Sequence, residues 1–285
     1  MMKDFALKKY SYLLIFFIAL SAIASGCGEK KSGARASAAK KIMIAGSTSV
    51  QPIAEKLAEH YMTSHPEVKI EIQGGGSSAG IQATRSGAAD IGASSRELKS
   101  DEKDLYETVI CRDAIVLIVN PSNPVSDLSG EDIRKIFSGE ISRWQSATAA
   151  VPAAGITAIT REEGSGTRGA FEELIMKKSE INARCLVQDS TGALREIVAS
   201  DPAAIGYVSF GGLNDKVKAL CVDSISPTME SMTQKDTKKR YGIIRPFLFL
   251  TRSAPTGTAL EFIKFIRSAE GAKTLIKEGL VPEIE

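Results

Sequence analysis

Three times along this chain a short apolar strand runs into a turn of glycine and hydroxyl residues, and a helix begins directly after it. The turns are Gly46 to Ser49, Gly74 to Gly80 and Gly164 to Thr167. The first follows Ile42–Ala45 and precedes a helix whose apolar positions Val50, Ile53, Ala54, Leu57, Ala58 and Tyr61 keep helical spacing, with Pro52 in its first turn. The second follows Val68, Ile70 and Ile72, which alternate with charged residues as in a strand, and opens a helix to about Ser86. The third follows Ile156–Thr160 and leads to a helix carrying Phe171, Leu174 and Ile175. Further strands are expected at Asp90–Ser95, at Ile205–Val208, at Ile243–Leu250 despite Pro246, and at Ala114–Val119, whose unbroken apolar run suits a strand buried on both faces. Helices are expected at Leu128–Phe137 with Ser129 as N-cap, at Thr191–Ala199, and twice near the C-terminus. Met229–Arg240 reads as a solvated loop. Strands alternating with helices at this spacing specify an α/β fold with a mostly parallel sheet.

The same turns suggest chemistry. A helix N-terminus leaves backbone N–H groups unpaired and carries partial positive charge. Glycine lets a ligand approach that backbone, and Ser or Thr adds hydroxyl donors, which together make an anion site suited to phosphate. One such turn is an ordinary helix cap; three in one chain point to a shared site. Arg161, just before the third turn, can grip an oxyanion with two parallel hydrogen bonds, or can pair with Glu162 or Glu163. Arg168 lies inside the following helix and fits a solvent-exposed position equally well.

Other classes find less support. The sequence has no GxxxxGK[ST] loop and no metal-ligand cluster, so neither a cofactor nor a metal is expected. Ser165 as a nucleophile would need a histidine, and the two histidines, His60 and His65, read as surface residues near a helix end. A binding protein is expected, not an enzyme. The chain has 36 basic and 34 acidic residues, and removing the leader described next leaves equal numbers, which argues against nucleic acid as a partner.

That leader is residues 1–26. Lys3, Lys8 and Lys9 precede an uncharged apolar run, Tyr12–Ala24, too short for a bilayer span and suited to a signal peptide. It ends in Ala24-Ser25-Gly26-Cys27, which resembles a bacterial lipobox, with Cys27 the lipidated residue. Residues 27–40, small and polar, read as a flexible tether. Of the remaining cysteines, Cys185 and Cys221 are the preferred disulfide pair and Cys111 a buried thiol.

The chain resembles the phosphate-binding component of bacterial phosphate ABC importers, within the type II periplasmic binding-protein fold. The matching stretches are Ala45–Ser49, Gln73–Gly80, Asp90–Arg96, Phe137–Ile141 with Trp144, Arg161–Thr167 and Ala204–Val208. The resemblance implies two lobes, residues 41–119 plus 243–285 and residues 120–242, each a mostly parallel sheet flanked by helices. Two strands, near Val119 and near Tyr241–Ile244, would form the hinge. Thr48, Ser49, Ser77, Arg161, Ser165, Gly166 and Thr167 would surround inorganic phosphate in the cleft, with Ser47 and Arg96 as possible additions. Arg96 could instead face outward and pair with Glu97 or Asp101. Well-known members place an aspartate where Ser95 stands; a hydroxyl there can accept or donate, so sulfate, molybdate or tungstate is an alternative ligand. Closure on phosphate would present the loaded form to ABC permease subunits, or to a signalling partner if the chain is a tethered sensor. A monomer is expected, because a clamp that must open and close gains little from a fixed interface, and Cys27 would anchor it through lipid on the extracytoplasmic face of a membrane.

Overall fold

The structure is a computed structural model that describes residues 40–144 and 155–284. The leader, the lipidation site Cys27 and the tether up to residue 39 lie outside the described residues, and Lys40 already begins the first strand.

Strand β1 (Lys40–Gly46) leads to helix α1 (Gln51–Ser64), which buries Ile53, Ala54, Leu57, Ala58 and Tyr61 with Pro52 in its first turn. Strand β2 (Val68–Gly74) leads to α2 (Ser77–Ser86), which ends where Gly87 turns left-handed. Strand β3 (Ile91–Ser94) follows, then β4 (Tyr106–Val119). Next come β5 (Asp127–Leu128), α3 (Gly130–Ser138), β6 (Thr157–Arg161) and α4 (Gly166–Phe171), which widens into a π-type turn over Glu172–Met176. After them run β7 (Leu186–Gln188), α5 (Thr191–Ser200), β8 (Ala204–Ser209), β9 (Lys218–Ala219) and β10 (Cys221–Val222). Helix α6 (Met229–Thr233), β11 (Ile244–Thr251), α7 (Gly257–Arg267), α8 (Ala269–Lys277) and β12 (Val281–Pro282) complete the order.

The main sheet runs β2-β1-β3-β11-β4-β8-β6-β7, with β9 and β12 also on β4. Its two flanks are parallel, β2-β1-β3 on one side and β8-β6-β7 on the other. Between them β11 and β4 run antiparallel to their neighbours and to each other. Pro246 is tolerated in β11 because β3 covers only Leu248–Leu250 of that strand.

Burial divides along the same line. Residues of β1, α1, β2 and β3 share one core with Ile110, Cys111, Phe247, Phe249 and the C-terminal helices. Ala114–Val119 share another with α3, α4, α5, β8, Tyr241 and Ile243. On β4, therefore, the change of core falls between Cys111 and Ala114, not after Val119. Residues 114–119 pack on the second side because they pair with β8.

Cys111 is buried, but Cys185 and Cys221 are not joined. The Cys185 thiol faces the Phe137 carbonyl at 3.7 Å, whereas Cys221 Sγ sits 3.1 Å from Ser226 Oγ on β10. His60 and His65 are half-buried; His60 meets Glu270 and His65 stacks on Tyr61.

Candidate functional site

Each of the three turns is shaped by a close backbone approach. Gly46 has φ 143°, and a Cβ there would lie 2.2 Å from the Ala93 carbonyl oxygen, so only glycine lets β1 pass β3 at this point. Ser47 next to it is buried; its hydroxyl accepts from the amides of Ser49 (3.2 Å) and Val50 (3.4 Å) and donates to Ser95 Oγ at 2.8 Å. In the second turn Ser77 opens α2 fully buried, its hydroxyl accepting from Ser95 N at 3.1 Å and standing 3.5 Å from Ser95 Oγ.

The third turn comes from the other core and meets the first two. Ser78 N donates to the Gly164 carbonyl at 3.1 Å. Ser165 caps α4, its hydroxyl oxygen accepting from Arg168 N at 3.3 Å while its O–H remains a donor. The Thr167 and Ser49 hydroxyls are 2.8 Å apart. Arg161, at the end of β6, is 1% exposed. Its guanidinium donates to Thr48 Oγ1 and Thr191 Oγ1, both at 3.1 Å, and to the carbonyls of Gln188 (3.2 Å) and Asp189 (3.1 Å). Glu162 pairs with it at 3.0 Å. Arg161 thus carries the carboxylate partner expected of it, but buried rather than at the surface, and it also reaches hydroxyls from two sides of the molecule.

The structure brings together Ser47, Thr48, Ser49, Ser77, Ser95, Arg161, Gly166 and Thr167, with Ser165 beside them as a cap. Arg96 does not join them. It is buried but neither faces outward nor meets the carboxylates of Glu97 or Asp101; it forms a two-pronged pair with Glu102 at 2.6 and 2.8 Å. The hydrogen bond from Arg96 holds the Glu102 carboxyl below its ordinary range, burial opposing it. Arg168 pairs with Glu172 at 2.8 Å and donates to the Arg161 carbonyl at 3.1 Å, bracing the strand that carries Arg161.

Sequence reasoning missed Thr191. It begins α5, capped by Ser190, and its hydroxyl lies 3.0 Å from Ser49 Oγ as well as accepting from Arg161. The signal was available, since Ser190-Thr191-Gly192 is one more hydroxyl-and-glycine helix start. It also missed Arg245, which donates to the Ser95 carbonyl at 3.1 Å.

Chemically, this is a cluster of buried hydroxyls and one guanidinium drawn from both cores. Here the hydroxyls and the guanidinium satisfy one another, and an oxyanion, which accepts many hydrogen bonds at once, is the ligand such a set of donors suits.

The comparisons agree with that chemistry. Residues 32–270 match the model of the PBP superfamily domain. The phosphate-binding protein PstS of Bacillus subtilis is 30% identical over 95% of this chain and 93% of its own length. Among solved structures, a phosphate ABC transporter substrate-binding protein from Clostridium perfringens, with bound phosphate, is 38% identical with a TM-score of 0.81, covering 86% of this chain and all of that one. An ABC-type phosphate transport receptor from Vibrio cholerae is 34% identical with a TM-score of 0.69, over 85% of this chain and all of that one.

Proposed function

The chain belongs to the PBP superfamily, among its phosphate-binding proteins, and from that premise we propose that it holds one inorganic phosphate within the cluster around Arg161. Its role is to capture phosphate for ABC import as an extracytoplasmic transport receptor; its relatives are a phosphate-binding protein, a phosphate ABC transporter substrate-binding protein and an ABC-type phosphate transport receptor. The residues that would surround the anion are Thr48, Ser49, Ser77, Ser95, Arg161, Ser165, Gly166 and Thr167, with Thr191 added and Arg96 left out.

One observation carries the assignment. Arg161 is buried with its charge directed at hydroxyls of both halves, Thr48 on one and Thr191 on the other. A bound anion would take its place in that network and tie the halves together. On this reading the two cores act as lobes and β4 with β11 as the hinge, so binding and closure are one event. Cys27 would carry the lipid that keeps a monomeric receptor at the membrane surface. Among the described residues no helix is long and apolar enough to cross a membrane.

The test is calorimetric titration of the chain starting after Cys27, freed of phosphate, with phosphate and then sulfate. Tight one-to-one phosphate binding, weakened at least about 100-fold by Arg161→Ala through loss of a buried charged donor, is the expected result. Unchanged binding by Arg161→Ala would remove the site assignment.

A further inference from the structure

Two buried charges outside the anion cluster have no part in the reading above. Arg245 on β11 and Asp113 on β4 are register partners, at the place where one core gives way to the other. They are 2% and 0% exposed. Arg245 Nε donates to Asp113 Oδ2 at 3.0 Å, and Nη2 stands 2.9 Å from the same oxygen without the alignment of a hydrogen bond. Asp113 Oδ1 accepts from Ser209 Oγ at 2.8 Å and from Phe210 N at 3.0 Å, where β8 ends. Arg245 Nη1 donates to the Ser95 carbonyl at 3.1 Å.

An ion pair this deep is a poor source of stability, because an apolar pair of similar volume avoids the desolvation. Burial indeed pulls the arginine toward neutrality and pushes the aspartate the same way, their mutual attraction opposing both. What the pair does that an apolar plug could not is connect. Its bonds run without a gap from the end of β8, through Asp113 and Arg245, to Ser95. The Ser95 hydroxyl is part of the cluster, and its amide is held by Ser77.

We propose that Arg245 is a positioning residue for the anion site: by holding the Ser95 carbonyl while anchored to Asp113, it fixes the Ser47–Ser77–Ser95 hydroxyls relative to the half that carries Arg161. The inference rests on the site proposed above. It distinguishes two tasks of one guanidinium, the contact with Asp113 and the contact with Ser95, which a lysine cannot perform together.

The experiment compares wild type, Arg245→Lys, Arg245→Met and Arg161→Ala in the chain starting after Cys27, by thermal melting and by phosphate calorimetry well below each melting temperature. Arg245→Lys keeps a charge facing Asp113 and should still fold, melting below wild type for the lost hydrogen bond to Ser95, and should bind phosphate about 10- to 100-fold more weakly. A merely structural role would lower melting and leave phosphate affinity as in wild type. Phosphate affinity of Arg245→Lys within about twofold of wild type overturns the proposal. Should Arg245→Met fail to fold, Arg245→Lys alone decides. Loss of binding in Arg161→Ala but not in Arg245→Lys defeats this inference only; retention of binding in Arg161→Ala defeats the site itself.

Discussion

At Gly166 the two halves approach too closely for any side chain. A Cβ built on it would lie 2.1 Å from Ser77 Oγ and 2.6 Å from Ser95 Oγ, both fixed by hydrogen bonds and unable to retreat. Its backbone has no positive φ, so alanine suits the residue itself and conflicts only with the opposite half. Gly166→Ala is therefore expected to weaken phosphate binding by about 100-fold, in line with the cost of overpacking a buried contact. If the halves stand apart without phosphate, as the proposed hinge requires, the denaturation midpoint of the phosphate-free protein should hardly move. Unchanged affinity would mean that the anion is held without this approach. Glu102 gives a different kind of test. Its carboxyl, 10% exposed, is held below the ordinary value of 4.5 chiefly by the hydrogen bond from Arg96. A carboxyl with a depressed folded-state pKa contributes stability that is fully present above the unfolded value and is lost as pH falls through the folded one. Glu102→Gln should thus cost about 3 kcal/mol near pH 7, where it strands a buried arginine. Urea titrations should find that gap closing below pH 4.5, and a gap that stays constant would refute the pairing as its cause.

At the scale of elements, the helix caps separate stability from binding. Ser129 accepts from Asp132 N at 3.0 Å at the start of α3, remote from the anion cluster. Ser129→Ala should cost about 1 kcal/mol in chemical denaturation and leave phosphate affinity alone; a change in affinity would show that α3 is coupled to the site. The elements legible in the sequence were those whose local chemistry is self-sufficient. The three glycine-and-hydroxyl turns, the helices with clean apolar spacing and the run Ala114–Val119 fall into that group. What stayed hidden depends on partners distant in the chain. The first half of β4 is disguised by Glu107, Arg112 and Asp113, which break the alternation. Strand β7 is three residues long with Leu186 and Val187 exposed, and only pairing with β6 makes it a strand. Asp113 and Arg245 are 132 residues apart, so no spacing rule could join them. The same limit explains Cys185 and Cys221, since counting cysteines does not fix which of them meet.

For the whole molecule, an anion held between the two cores, as proposed above, would link ligand to shape. Thr48, Ser49, Ser77 and Ser95 lie on the β1–β3 side of the sheet, Arg161, Thr167 and Thr191 on the β6–β8 side, and two strands, β4 and β11, run continuously from one core to the other. Phosphate binds the folded chain and not the unfolded one, so at 100 times its dissociation constant it should add about 2.7 kcal/mol. For a chain of this size that corresponds to a rise in melting temperature of about 5–10 °C. Melting alone cannot distinguish closure from simple occupancy, because both stabilise by the same mass action. Small-angle scattering can. If donors from both halves reach the anion only when the cleft is shut, the radius of gyration should fall on adding phosphate, and Gly166→Ala should bind weakly without compacting fully. A melting temperature that rises while the radius stays fixed would mean that β4 and β11 hold the halves together before the ligand arrives. Arg245 and Asp113 would then act as a permanent brace and not as the fixed point of a moving hinge.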